Sequence, residues 1–329
     1  LIIGQNGSGK TTLLEAIYFL YRGTSFRGSD RDMIRSSVTT SLLKLEHSEG
    51  ERRARLTLSP DNKLSKEFTL SEKKIARLSA ANRLPVVLFE PDELRVLSSS
   101  PSRRRDFIDN LIARLKPAYA TVVNRYARTL LQRNELLKQR EFMDSHVWDA
   151  HLFAWDVKFA ELASVIVHER QAFLELANEH LSTLYSKLAN EPHEVQIMYE
   201  NTLPAADYRQ ALINQLHSLR RSDALRGFTS VGPHRDDFTT FLDTRPAAAS
   251  ASRGEMRSIM LALKLLEVEL QQKVSGSSPL ILMDDVFSEL DTSRERQLMQ
   301  ALKSYQTIIT ATDLRNELVI AATVITLTT

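Results

Sequence analysis

The sequence predicts an α/β fold in which a mixed sheet with an antiparallel layer is interrupted by a helical arm domain, and three observations predict it. A glycine-rich loop, GQNGSGKT at residues 4–11, stands between a short apolar run and a helical pattern, which makes a strand, loop and helix unit. A second apolar run, Leu280 to Met283, ends in Asp284 and Asp285, as expected of a parallel strand buried on both faces. Between the two, residues 148–191 contain no Pro or Gly and carry apolar side chains three and four apart, the spacing of a long helix.

The elements follow in order. Leu13, Leu14, Ile17, Leu20 and Tyr21 predict a helix from about Lys10 to Tyr21. Leu43 with Leu45, Leu56 with Leu58 and Phe68 with Leu70 alternate with polar neighbours, the period of half-buried strands in an antiparallel layer. Val86 to Phe89 reads as a short apolar strand. The run SSSPS at residues 98–102 shifts the composition and places Pro101 at a helix start. From Arg103 to about Arg221 the pattern is helical. Within it, Trp148, Leu152, Trp155, Phe159, Leu162, Ile166, Phe173 and Leu176 form a stripe, read as a packing seam and not as a base-stacking platform. Such a helix, on the order of 60 Å long at 1.5 Å per residue, is expected to project as an arm or hairpin. The domain reading is a discontinuous head over 1–100 and 226–329 with a helical insert over 101–225. The chain opens at Leu1-Ile2-Ile3, inside the apolar run that meets Gly4, so further residues of that strand are expected upstream.

Composition narrows the class. With 329 residues, 43% apolar and 26% charged, the chain has the makeup of a globular protein and not of a disordered one. It has no cysteine, which excludes disulfides and thiolate chemistry and fits a cytoplasmic protein. A net charge of +2 means that any affinity for nucleic acid must come from local clusters. No membrane span is expected, because no apolar run reaches the needed length.

Residues 4–11 satisfy G-x-x-x-x-G-K-[ST] in full, in the strand and helix context that gives the pattern its meaning. Gly4 opens the loop, Gly7 and Gly9 let backbone N–H groups turn inward around the β-phosphate, and the helix N-terminus adds a positive dipole end. Lys10 supplies a mobile point charge to the phosphates, and the Thr11 hydroxyl is placed to ligate Mg²⁺. Gln5, Asn6 and Ser8 complete the loop and Thr12 its first helical turn. Asp284, at the carboxyl end of a strand, is the candidate to hold Mg²⁺, and Asp285 the candidate to polarise an attacking water. Helix capping by these aspartates is the competing reading, and the following SELD at residues 288–291 argues against capping alone.

The order GQNGSGKT, then SRGE at residues 252–255, then ILMDDVFSELD from Ile281 resembles the ABC-type P-loop ATPase head. The resemblance makes Ser252 and Gly254 signature residues, which bind the γ-phosphate held by a second head, and Asp291 part of the following acidic loop. It implies ATP and Mg²⁺ as cofactors, with Lys10, Asp284 and Asp285 as the catalytic set, and an ATP-dependent homodimer. Three more stretches, LFEPDELRVLSSSPSRRRDFID from Leu88, LLQRNELLK from Leu130 and TSVGPHRDDF from Thr229, resemble the RecF family. That family implies a weak DNA-stimulated ATPase of recombinational repair, replication-fork maintenance and SOS induction. It acts at single-strand gaps or single-strand/double-strand junctions with RecR and RecO. An SMC-type chromosome ATPase head and an ABC transporter ATPase subunit are the alternatives; the first needs far longer arms, the second an SGGQ signature and a shorter insert. This chain departs from the broader class where Asp285 replaces the usual Glu, where Thr310 and Thr312 flank the place of the switch His, and near Glu90, where no clear Q-loop Gln is seen.

His234, Arg235, Asp236 and Asp237 include metal-ligand types, but Gly232-Pro233 beside them predicts a structural turn or interface. Arg103 to Arg105, Arg125 with Arg128 and Arg133, Lys138 with Arg140, and Arg220-Arg221 with Arg226 are clusters able to neutralise DNA phosphates. Solvated helix faces are the competing reading for each.

Overall fold

In the computed structural model, which describes residues 1–47, 50–204, 207–313 and 323–327, the apolar run before the glycine loop is strand β1 (Ile2–Ile3) and the periodic run after it is helix α1 (Lys10–Arg22). Gly23 ends α1 in the left-handed conformation, its N–H bonded to the Phe19 carbonyl, because a side chain there would be strained. Strands β2 (Thr40–His47), β3 (Gly50–Leu58), β4 (Leu64–Leu70) and β5 (Lys73–Ile75) form an antiparallel sheet in sequence order. Strand β6 (Val86–Phe89) is buried along its whole length.

The helical stretch begins at α2 (Pro101–Leu115), with Pro101 in its first turn, and breaks before α3 (Pro117–Lys138). The pre-proline Lys116 leaves the helical region at φ −126° and ψ 87°. Helix α4 (Ser145–Ala189) runs 45 residues and follows α3 after a short turn, so the expected arm is a helical hairpin. The aromatic stripe packs: Trp148, Phe159 and Phe173 are buried.

One expectation fails here. The pattern read as helical to Arg221 contains strand β7 (Val195–Glu200), whose Val195 and Ile197 are buried while Gln196 and Met198 are exposed. Asn190, left-handed at φ 57°, ends α4 two residues before Pro192, and the period-two run that begins at Val195 makes this strand a better partner for β8 (Asp237–Leu242) than for another helix. Helix α5 (Tyr208–Arg226) intervenes, and β9 (Arg245–Pro246) completes a three-stranded sheet in the order β7-β8-β9. The outer edge of β7 is covered by α4. The Asn178 amide donates to the Ile197 carbonyl at 3.0 Å and accepts from its N–H at 2.9 Å, while Ser182 accepts from the Val195 N–H at 2.9 Å, which blunts an edge that would otherwise invite pairing.

A short helix α6 (Ala247–Ser250) and the longer α7 (Arg253–Ser275) lead back to β10 (Leu280–Asp284), α8 (Thr292–Ala301), β11 (Thr307–Ala311) and β12 (Ile325–Thr326). Strands β12-β1-β11-β10-β6 form a parallel sheet. The chain divides into Leu1–Pro91 with Glu267–Thr329, and Asp92–Leu266. In the first unit, α1 lies between two sheets. Its Leu14 and Tyr21 pack with Val86 and Leu282 of the parallel sheet, while Phe19 and Leu20 pack with Leu56 and Phe68 of the antiparallel one. Burying Leu14 and Phe19 completely is worth about 1.5–3 kcal/mol each, so the sandwich fixes the axial rotation of the helix that starts at Lys10. Among the described residues no helix is long and apolar enough to cross a membrane.

Candidate functional site

The glycine loop turns sharply because Gly7 and Gly9 sit at φ 86° and 91°, a region that favours glycine. Lys10 is buried and donates to the Gly4 carbonyl at 2.6 Å and the Gln5 carbonyl at 2.9 Å. The Ser8 hydroxyl is buried with no protein partner, and a polar atom held that way is costly unless a ligand bonds it. Gln5, Asn6 and Thr12 are exposed.

Asp284 comes from the end of β10. The Thr11 hydroxyl donates to its Oδ1 at 2.9 Å, and the Thr310 hydroxyl, from β11, donates to the same oxygen at 2.9 Å. Thr310 also accepts the Asp285 N–H at 3.0 Å. Because the Thr11 proton is committed to Asp284, its oxygen lone pairs remain free for a cation. Thr11 and Asp284 therefore offer the hard oxygen set that Mg²⁺ takes beside phosphates and water. Asp285 adopts φ 51° and makes no side-chain capping bond to the turn it precedes. Lys10, Thr11, Asp284 and Asp285 line one cavity of about 290 Å³. Of the sequence-predicted residues, these are brought together with Asn6, Gly7, Gly9 and Thr12.

Asp291 lies elsewhere in the same unit. It caps α8, accepting the Arg294 N–H at 2.9 Å, and that bond together with the Arg294 guanidinium holds its carboxyl below the usual range. Ser252 and Gly254 belong to the second unit, at the N-terminus of α7. Ser252 accepts the Glu255 N–H at 3.2 Å and Glu255 accepts the Ser252 N–H at 2.6 Å, a capping box. Ser252 is exposed.

Two residues at the site are not singled out by the sequence reading. Thr310 does not line the cavity but bonds Asp284 and the Asp285 N–H behind it; in the sequence it marks only the place of the absent switch His, although its position at the carboxyl end of a strand is the signal that finds such residues. Arg27 lines the cavity itself. It sits in a loop where the Ser25 hydroxyl accepts the Arg27 N–H at 3.1 Å, and no periodicity marks it.

In the second unit, the turn at Pro233–Arg235 leads through Asp236 into β8 at Asp237, and the side chains of His234 to Asp237 all bond to protein. The Thr229 carbonyl can only accept, so His234 Nε2, 3.1 Å away, carries the proton and Nδ1 accepts from the Tyr126 hydroxyl at 2.7 Å. Burial lowers the His234 pKa to about 4, with Arg235, Arg105 and Arg133 adding to the effect against the Thr229 bond. Arg105 donates to the Asp236 carbonyl and Arg104 pairs with Asp237. Arg133 must leave the set of DNA candidates. It is 0% exposed, donating to Asp156 at 2.6 Å and to Thr229 at 2.8 Å, with Asp223 at 3.3 Å. A buried guanidinium is kept by its carboxylates, not by solvent-borne phosphates. Arg125, Arg128, Arg140, Arg221 and Arg226 are exposed.

The chain matches the RecF/RecN/SMC N terminal domain family over residues 1–328. It is 33% identical over 316 residues to the DNA replication and repair protein RecF of Lachnoclostridium phytofermentans, covering 95% of this chain and 86% of that one. The RecF of Acetivibrio thermocellus is 34% identical over 323 residues, with 95% and 86% covered. That of Streptococcus equi subsp. zooepidemicus is 34% identical over 324 residues, with 96% and 86% covered. Solved structures of the recombination mediator protein RecF in the RecFOR pathway, described as RecF-ATPrS and RecF-ATP, superpose with a TM-score of 0.81 each at 28% identity. They cover 95% and 96% of this chain and 86% of their own.

Proposed function

The chain belongs to the RecF/RecN/SMC N-terminal family, with RecF proteins among its relatives, and from that premise we propose that it binds ATP with Mg²⁺, uses it to form a dimer on DNA, and serves DNA repair at single-strand gaps. The observation that carries the reading is the Thr11–Asp284 bond at 2.9 Å between residues 273 apart in sequence. It joins the phosphate-binding loop to the acidic strand end in the arrangement that nucleotide phosphates and a divalent cation require.

The residues divide the work. Backbone N–H groups of residues 4–12 and the Lys10 ammonium take the phosphates, and Thr11 with Asp284 would hold Mg²⁺. The cation supplies charge neutralisation on the phosphoryl oxygens. Asp285 orients a water for attack, from a side chain one methylene shorter than Glu, so turnover is slow and ATP acts more as a timer than as fuel. Ser252 and Gly254 at the N-terminus of α7 present a dipole end and a hydroxyl to the γ-phosphate of a second copy, with Asp291 near that junction. Likeness to RecF supports DNA as the ligand and RecR and RecO as partners. SOS induction and a cytoplasmic location belong to the same reading.

The test is DNA binding by the full-length protein with and without ATP as salt is raised. ATP should strengthen binding, and Lys10→Met should abolish both nucleotide affinity and the ATP effect. Equal DNA affinity in the presence and absence of ATP would sink the switch. Unchanged nucleotide affinity in Lys10→Met would sink the phosphate-loop assignment.

A further inference from the structure

Two basic clusters that are far apart in the sequence, Lys138 with Arg140 and Arg221 with Arg226, meet at the turn that joins α3 to α4. Ala224 of α5 packs with Leu136, Leu137 and Trp148, and Gly227 lies so close to Lys138 that an added Cβ would stand 3.3 Å from its Cγ. The Arg140 guanidinium lies 5.6 Å from the centroid of the Trp148 ring. That ring is itself locked, its indole N–H donating to the Leu136 carbonyl at 2.8 Å, so the surface rests on a rigid base. Phe142, at the end of the 3-10 turn Arg140–Phe142, and Leu225, next to Ala224, are each 85% exposed, the highest values for large apolar side chains among the described residues. Arg140, Arg221 and Arg226 are exposed and, among the described residues, form no ion pair. The nearby carboxylates are engaged: Glu135 with Lys138, Asp149 with Arg220, Asp144 as the cap of α4, and Asp223 with the buried Arg133. Glu141 alone faces three guanidiniums.

The carbonyl ends of α3 and α5 favour cations at Lys138 and Arg226, but helix chemistry does not account for a phenyl ring left in water beside them. A ring among guanidiniums fits an unpaired base, which stacks on the ring while the cations take the flanking phosphates. Bases inside a duplex have no free face to offer, and a second copy of this surface would bring like charges together. We propose that this surface is a contact for single-stranded nucleic acid, with Phe142 stacking on a base and Arg140, Arg221 and Arg226 neutralising phosphates. It rests on the DNA reading above, but it needs no nucleotide at residues 4–11.

The test is the affinity of the full-length protein for a labelled oligothymidine strand, without ATP, as salt is raised. Phe142→Ala should weaken binding about 5- to 150-fold at an unchanged salt slope. Arg140→Gln, Arg221→Gln and Arg226→Gln together should lower the log–log slope by about 2, and Lys at the three positions should keep it. All four side chains are exposed, so the variants leave the core intact and nucleotide affinity at the parent value. Strand affinity and slope equal to the parent in both variants overturn the proposal, even where ATP still strengthens DNA binding and the switch stands. Losses in the variants beside a parent protein that ignores ATP support the surface and refute the switch. A parent protein that does not bind the strand overturns the surface. Self-association of the nucleotide-free protein that Phe142→Ala abolishes, with strand affinity unchanged, assigns the surface to a second copy and overturns the proposal as well.

Discussion

Replacing Thr310 by Val removes one hydroxyl and nothing else of consequence, since the two side chains have the same shape and no cavity opens. That hydroxyl makes two bonds at the candidate site: it donates to Asp284 at 2.9 Å and accepts the Asp285 N–H at 3.0 Å. Thr310 is 0% exposed, so water does not replace it. The orphaned N–H costs about 1–3 kcal/mol and the lost charge-assisted bond about 1.5–3 kcal/mol. Relaxation of Asp285 from its left-handed backbone, φ 51°, returns part of this, because such a conformation stores on the order of 1–3 kcal/mol. A net loss of about 2–4 kcal/mol is expected in urea unfolding. The functional consequence is more specific. Asp284 keeps its Thr11 bond, so ATP affinity without Mg²⁺ should be unchanged, while Mg²⁺-dependent affinity and turnover should fall by about 10- to 100-fold, the usual range when the group that orients a metal ligand is lost. Isothermal titration with and without Mg²⁺, alongside phosphate release, separates these effects. Equal Mg²⁺ dependence in Thr310→Val and the parent protein would refute a positioning role for Thr310.

Other outcomes follow from particular contacts. Ser252→Arg should leave ATP affinity intact, cost about 1 kcal/mol for the lost cap of α7, and block ATP-dependent dimerisation; normal dimers by light scattering would rule out its action across two copies. Arg133→Met strands Asp156 and Asp223 without their buried partner, so unfolding free energy should drop by about 3–5 kcal/mol, and a loss under about 1 kcal/mol would show the network to be dispensable. His234, with its pKa lowered from 6.5 to about 4 by burial, stays neutral when folded while the unfolded chain takes up a proton. Stability is therefore full above pH 6.5 and falls as pH drops toward 4, by about 3 kcal/mol. His234→Gln should flatten that slope, and an unchanged pH profile in calorimetry would remove the His from the account.

What the sequence made legible was chemistry carried on contiguous residues. The loop at 4–11, the strand ending at Asp284 and the helix starting at Pro101 each announce themselves through local sterics or through a run of one polarity. The long helix was legible for the same reason, since its seam repeats on one segment. Apart from Arg27, in a loop with no periodicity, the losses are pairings at distance. Strand β7 has only six residues, too few for its alternation to stand out after a long helical run, and its identity depends on β8 arriving from some forty residues away. Arg133 looks like its exposed neighbours Arg125 and Arg128 until Asp156 and Asp223 close on it, 23 and 90 residues along. Thr310 is a common β-branched residue at a strand end, and only the strand order gives it a partner.

That strand order also makes the site depend on sheet register. Strands β1, β11 and β10 are neighbours in the parallel sheet, and their carboxyl ends deliver the loop, Thr310 and Asp284 respectively. Thr310 stands opposite both Ile2 and Asp284. A slip of β11 by one residue would put Ile309 or Ala311 in its place and point the hydroxyl to the opposite face. Neither replacement has an oxygen to share between Asp284 and the Asp285 N–H. The slip is opposed by burial, since β10 is inaccessible over Ile281 to Met283 and Ile309 and Ala311 are nearly so. The apolar core under α1 thus does more than stabilise the first unit. By fixing the register of three strands, it holds the glycine loop, the Asp284 carboxylate and the Thr310 hydroxyl between them in one geometry.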